Sequence, residues 1–214
     1  MDFGRSFSFV FEDSDWLKKI GLMALVTLIP IVGQLVLIGW GIEIIRRVVR
    51  GNDLPLPDLD FGEQLADGFK VFVIGLVYSL PIIVLSLIMG GLTAIAANVM
   101  DYDTAQIIGG IVSLCFGLLI FIYSIALALI MPAAYANFAM KGNIADGLRL
   151  GELFGYVKNN IGGYLIVLLG SIVAGIVASL GTIACGVGVL LTTVYANAMM
   201  MHLYGQAYQK QLKY

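Results

Sequence analysis

Four long apolar runs set the pattern of the chain: residues 20–45, 69–99, 104–140 and 161–201, separated by short polar segments. One membrane-spanning helix takes about 20 residues at a rise of about 1.5 Å each. The last run therefore makes two spans, and Gly181-Thr-Ile-Ala-Cys-Gly-Val-Gly188 supplies the turn between them. The first run could be one helix. However, Pro30-Ile-Val-Gly33 sits in its middle, where Pro breaks a helix and Gly permits reversal.

The basic residues decide between the two. If the first run is a hairpin, Arg5, Lys18 and Lys19 share a side with Arg46, Arg47, Arg50 and Lys70. Further hairpins return the chain to Lys141, Arg149 and Lys158, then to Lys210 and Lys213. All 12 Lys and Arg then lie on one side, and the opposite turns carry only Asp101 and Asp103. By the positive-inside rule that side is cytoplasmic. The pattern predicts an all-α integral membrane protein with about six transmembrane helices in three hairpins and both termini cytoplasmic.

The resulting order is an interfacial segment 1–16, hairpin 1 at 17–50, a cytoplasmic connection 51–68, hairpin 2 at 69–140, an amphipathic connection 141–159, hairpin 3 at 160–208 and a tail 209–214. Hairpin 1 is short: 17–29 and 34–49 give only about 20–24 Å of helix against a core of about 30 Å, so it thins the bilayer or is re-entrant. The helices of hairpin 2 are too long, and Pro81, Gly90-Gly91 and Pro132 are where they bend or end.

The connections repeat. Leu65-Ala-Asp-Gly-Phe-Lys70 matches Ile144-Ala-Asp-Gly-Leu-Arg149 by type, each behind a basic-Gly-Asn element, Arg50-Gly51-Asn52 and Lys141-Gly142-Asn143. Tyr135-Ala-Asn137 likewise recurs as Tyr195-Ala-Asn197, with Trp40-Gly-Ile42 at the corresponding place in hairpin 1. A hairpin unit used three times accounts for this. Asp146, Arg149 and Glu152 form one polar stripe, and Asp60, Glu63, Asp67 and Lys70 another, so both connections read as amphipathic helices on the headgroups. Phe3, Phe7 and Phe11, four apart, predict a similar interfacial face, or else a frayed tail anchored by Trp16.

Composition agrees with this reading. Of 214 residues, 60% are hydrophobic and 12% charged, and mean hydropathy is +0.96. A soluble domain of this length could not hide so much apolar surface. A net charge of −2 offers no basic face to nucleic acid. The acidic, aromatic N-terminus does not read as a signal peptide. Cys115 and Cys185 form no metal or redox spacing and read as small apolar packers.

Few residues could carry chemistry. Glu43 is the one carboxylate inside an apolar run, but Arg46 and Arg47 at i+3 and i+4 make a local ion pair the expected role. His202, the only histidine, reads as a polar interface residue, and Asn98, Asn137 and Asn197 as interhelical hydrogen-bonding groups. Glu43, Asn137, Asn197 and His202 are the candidates for a polar path or interface. No phosphate loop, zinc motif or nucleophile beside the histidine is present in the sequence, so no enzyme, cofactor or metal is expected. The clearest positive signal is packing. Gly109-xxx-Ser113-xxx-Gly117 forms a small-residue row in the third run. Gly170-xxx-Ala174-xxx-Ala178 and Ser171-xxx-Gly175-xxx-Ser179 form two more in the fourth. Such rows let backbones approach closely, within the bundle or against another subunit.

The run Phe11-Glu-Asp-x-x-Trp16-x-x-Lys19-x-Gly21, followed by Pro30-Ile-Val-Gly33, Gly39-Trp40, Arg46–Gly51 and Leu54-Pro55, resembles the prokaryotic membrane family called domain of unknown function 4013. The similarity continues through Tyr135-Ala, Ala145-Asp146, Asn160–Tyr164 and Gly205-x-Ala-Tyr208. The resemblance implies a multi-pass protein of a bacterial or archaeal cell membrane and carries over no activity. The expected role is a non-enzymatic accessory or scaffold subunit, in lipid and in contact with other membrane subunits or itself. The alternative is a small-solute transporter or channel with Glu43, Asn137 and Asn197 near its path.

Overall fold

The computed structural model describes residues 1–54, 56–184 and 187–212. Pro55, Cys185 and Lys213 lie outside the described residues. The elements run α1 (Arg5–Glu12), α2 (Trp16–Val26), α3 (Val32–Val49), α4 (Phe61–Val99), α5 (Tyr102–Lys141), α6 (Ile144–Gly147), α7 (Leu150–Asn159), α8 (Ile161–Leu180), a 3₁₀ turn (Gly181–Ala184) and α9 (Val187–Gln211). No strand occurs among the described residues. Among the described residues three helices, α4, α5 and α8, are long and apolar enough to cross a membrane. Their large exposed apolar side chains, such as Leu87, Leu114, Phe121 and Leu169, suit lipid as the surrounding solvent. α2 has 11 residues and α3 has 18, so hairpin 1 is built from short pieces.

Contacts divide the chain into two compact units, Met1–Ile74 with Leu129–Tyr214, and Gly75–Ala128. In the first, α9 is the central helix and packs against α1, α2, α3, α7 and α8. Its buried Val194, Ala198, Met199 and Leu203 share this unit's core with Phe9, Met23, Val36, Trp40, Ile44 and Ile45. Glycine sets the closest approach. A Cβ on Gly39 would lie 1.8 Å from the Gln64 carbonyl, and one on Gly68 1.8 Å from that of Leu35, so α3 and the start of α4 touch backbone to backbone. The α2–α3 reversal is a γ-turn: Val32 N–H donates to Pro30 O at 2.7 Å, with Ile31 at φ 65.

The second unit is an antiparallel pair of helix segments from α4 and α5. Tyr123 Oη donates to Tyr78 O at 2.9 Å, and Asp101 Oδ1 accepts the Thr104 N–H at 3.0 Å, opening α5.

Several expectations need correcting. α1 is an ordered helix rather than a frayed tail, and Phe3, Phe7 and Phe11 lie outside its buried stripe. Its buried stripe is Ser6, Phe9 and Val10, continued by Asp13, and it lies on α9, while Phe11 is exposed. Phe9 stacks on the His202 ring, and the exposed Phe11 lies beside the Tyr195 ring at a centroid distance of 5.6 Å. The first connection holds no separate interfacial helix, because α4 starts at Phe61 and runs unbroken to Val99. Glu63, Asp67 and Lys70 are its first turns, drawn against α3 by Arg46. The second connection breaks into α6 and α7. Of the two alternatives at Pro81 and Pro132, bending or ending, ending does not occur, since each lies inside its helix. Without water to satisfy an opened backbone, continuing the helix past one missing N–H is the cheaper course. Cys115 is exposed rather than packed.

Candidate functional site

The charges of the first unit gather around Arg46, at the last turn of α3. Its Nη2 lies 2.6 Å from Asp67 Oδ2, its Nη1 3.4 Å from Glu43 Oε2, and its Nε donates to Ala139 O at 2.9 Å. Glu43 holds its second oxygen 3.1 Å from Arg47 Nε. Arg47 and Lys19 both donate to Leu56 O, at 3.2 and 3.0 Å, and Lys19 Nζ sits 2.8 Å from Asp13 Oδ2. Trp40 Nε1 donates to Pro57 O and Gln64 Nε2 to Asp58 O, which ties the segment before α4 onto α3. These groups border a cavity of about 310 Å³ lined by Glu43, Arg46, Arg47, Asp58, Glu63 and Asp67 among others. Burial pushes the Asp13 carboxyl up, but the Lys19 ammonium and the Asp15 N–H outweigh it and hold the group below its ordinary 3.8.

The two repeat copies can be compared directly. Gly51 and Gly142 both adopt positive φ, 77 and 81, just past a helix end. Asp67 and Asp146 are both buried, and each pairs at 3.2 Å with the base three residues on, Lys70 and Arg149.

The four candidate residues occupy separate places. Glu43 is an ion-pair partner at the cavity rim. Asn137 is fully buried, donating to Asp146 O at 2.8 Å and accepting from Tyr208 Oη at 3.2 Å. Asn197 lies on α9 against Gly41, and its Oδ1 is buried with no partner. His202 stacks on Phe9 with ring centroids 4.3 Å apart. Neither Asn137 nor Asn197 lines the Glu43 cavity.

The fold also adds what sequence reading missed. Ser6 Oγ lies 3.0 Å from His202 Nδ1, so a hydroxyl does stand beside the histidine, although Ser6 is fully buried. Arg46 as the hub was missed as well; Asp67, three residues before Lys70 in a repeated string, was the one available signal.

The small-residue rows divide. Gly170, Ala174 and Ala178 face α9, and a Cβ on Gly170 would lie 2.4 Å from Leu203 Cδ1. Ser171, Gly175 and Ser179 are exposed on the same helix, and nothing lies within 4 Å of a Cβ placed on Gly175, Gly109 or Gly117.

The model of a family described as "Protein of unknown function (DUF4013)" matches residues 22–187. No curated protein matches the chain. No solved structure matches it.

Proposed function

The chain belongs to the DUF4013 family, and from that premise we propose that it is a non-enzymatic accessory or scaffold subunit of a prokaryotic cytoplasmic membrane. About six helices enter the bilayer as three hairpins, α2–α3 (short or re-entrant), α4–α5 and α8–α9, with both termini in the cytoplasm. The positive-inside pattern supports this sidedness, and the paired positive-φ glycines and Asp–base contacts support a repeated unit.

One observation carries the scaffold reading. α8 covers one small-residue row with α9 and leaves the next, Ser171-Gly175-Ser179, open. In lipid no hydrophobic effect gathers helices, so close-approach faces are the means of association. The transporter reading has less support, because Glu43 is held by two arginines and the asparagines lie elsewhere.

The test is isolation from native membranes in mild detergent. The wild type should co-purify with a defined membrane subunit or with itself, and Gly175→Leu should lose that association while melting at the same temperature. Isolation as a lone monomer would overturn the proposal, as would solute flux that Glu43→Gln abolishes.

A further inference from the structure

His202 is buried, yet half of its ring chemistry is unused. Nδ1 lies 3.0 Å from Ser6 Oγ and 3.1 Å from Gln206 Nε2. The Gln206 amide cannot turn over, since the Asp2 N–H donates to Oε1 at 2.6 Å and Nε2 donates to Asp2 O at 2.9 Å. Gln206 Nε2 is therefore a donor, within reach of Asp2 O, of Ser6 Oγ at 3.2 Å and of Nδ1, and Nδ1 as an acceptor suits it best. The neutral imidazole then carries its proton on Nε2.

No group of the described chain accepts from that Nε2–H, and it is not sealed off. His202 lines a cavity of about 300 Å³ whose wall also holds Arg5, Asp2, Asp53, Asn52 and Gln209. The volume is at the small end for ligand sites, which start at about 300 Å³. The charges of the wall are mixed. A bare oxyanion would meet two carboxylates, and a bare cation would meet Arg5 and the Nε2–H. A molecule carrying both charges satisfies both sets.

We propose that this cavity binds a small zwitterion. Its oxyanion accepts from His202 Nε2–H and from Arg5, and its ammonium donates to Asp53 and Asp2. The same chemistry comes from a soluble compound such as phosphoethanolamine or from a phosphatidylethanolamine headgroup. The proposal goes beyond the scaffold reading and does not depend on it.

The single histidine makes the test direct. The full chain, labelled with ¹⁵N-histidine in phosphatidylglycerol nanodiscs, yields one imidazole, whose shifts should report the Nε2–H tautomer. Phosphoethanolamine, or exchange into phosphatidylethanolamine nanodiscs, should move the Nε2 resonance saturably. Inorganic phosphate alone and ethanolamine alone should leave it in place. A response to the soluble compound only identifies a free ligand, and a response to the lipid only identifies a headgroup; either supports the site. Arg5→Gln and Asp53→Asn, both at exposed side chains, should each weaken the response at least tenfold. An Nδ1–H tautomer, silence toward both zwitterions, or an equal response to phosphate alone would overturn the proposal.

Discussion

Arg46 of α3 and Asp67 of α4 meet at 2.6 Å with both side chains mostly out of solvent, 13% and 7% exposed. The pair joins two helices whose backbones already touch at Gly39 and Gly68. Each partner keeps a second ion pair, Arg46 with Glu43 and Asp67 with Lys70, so Asp67→Asn and Arg46→Leu should each cost about 1–3 kcal/mol for the lost charge-assisted contact. Arg47→Leu, at a more exposed site, should cost clearly less. Denaturant unfolding in a fixed detergent measures all three, and equal losses would refute the ranking.

The glycine contact makes a sharper steric prediction. Gly39→Ala and Gly68→Ala should each destabilise by about 1–3 kcal/mol or prevent folding, because the Cβ meets backbone that cannot rotate away. Gly75→Ala has open space and should be neutral. Monodispersity in size exclusion, compared across the three, is the readout.

Asp13 supplies a pH dependence. Its pKa is depressed when folded, so its contribution is present above the unfolded value, near 3.8, and is lost as pH falls through the lower folded value. At neutral pH Asp13→Asn should melt below the wild type, by about 1–3 kcal/mol for a lost charge-assisted hydrogen bond to Lys19. The two melting curves should converge under strongly acidic conditions. A gap that persists there would assign the loss to packing instead.

Ile31 is a β-branched residue at φ 65, and its side chain is 77% exposed, so little packing holds it there. Ile31→Gly should raise stability by about 1 kcal/mol, strain relief exceeding the flexibility glycine adds to the unfolded chain. A lower melting temperature would contradict this.

Topology has its own measurement. In a background with Cys115 and Cys185 replaced, Asp101→Cys should react with an impermeant thiol reagent from outside intact cells. Arg149→Cys should react only after the membrane is opened. Any other labelling pattern would overturn the six-span arrangement.

Much of this molecule is written locally. The apolar lengths that become α4, α5 and α8 are visible because a membrane helix must be about 20 apolar residues long wherever it packs. The Glu43 pairing with Arg46 and Arg47 is visible because neighbours at i+3 and i+4 share a helix face. The Arg46 contacts to Asp67 and Ala139, and the Ser6 contact to His202, join distant parts of the chain and leave no periodic trace.

By itself the sequence determined the solvent and the long helices, since apolar run length and scarce charge respond to lipid directly. Which face of each element is buried was decided by tertiary structure alone. Two stripes of α1 had the spacing to pack, and in the folded chain Phe9 is buried on the His202 ring of α9 while Phe11 stays exposed beside Tyr195. Two small-residue rows of α8 were equally eligible, and α9 covered one of them. Periodicity ranks faces by composition, whereas burial needs a partner surface, and that surface exists only once the helices have met.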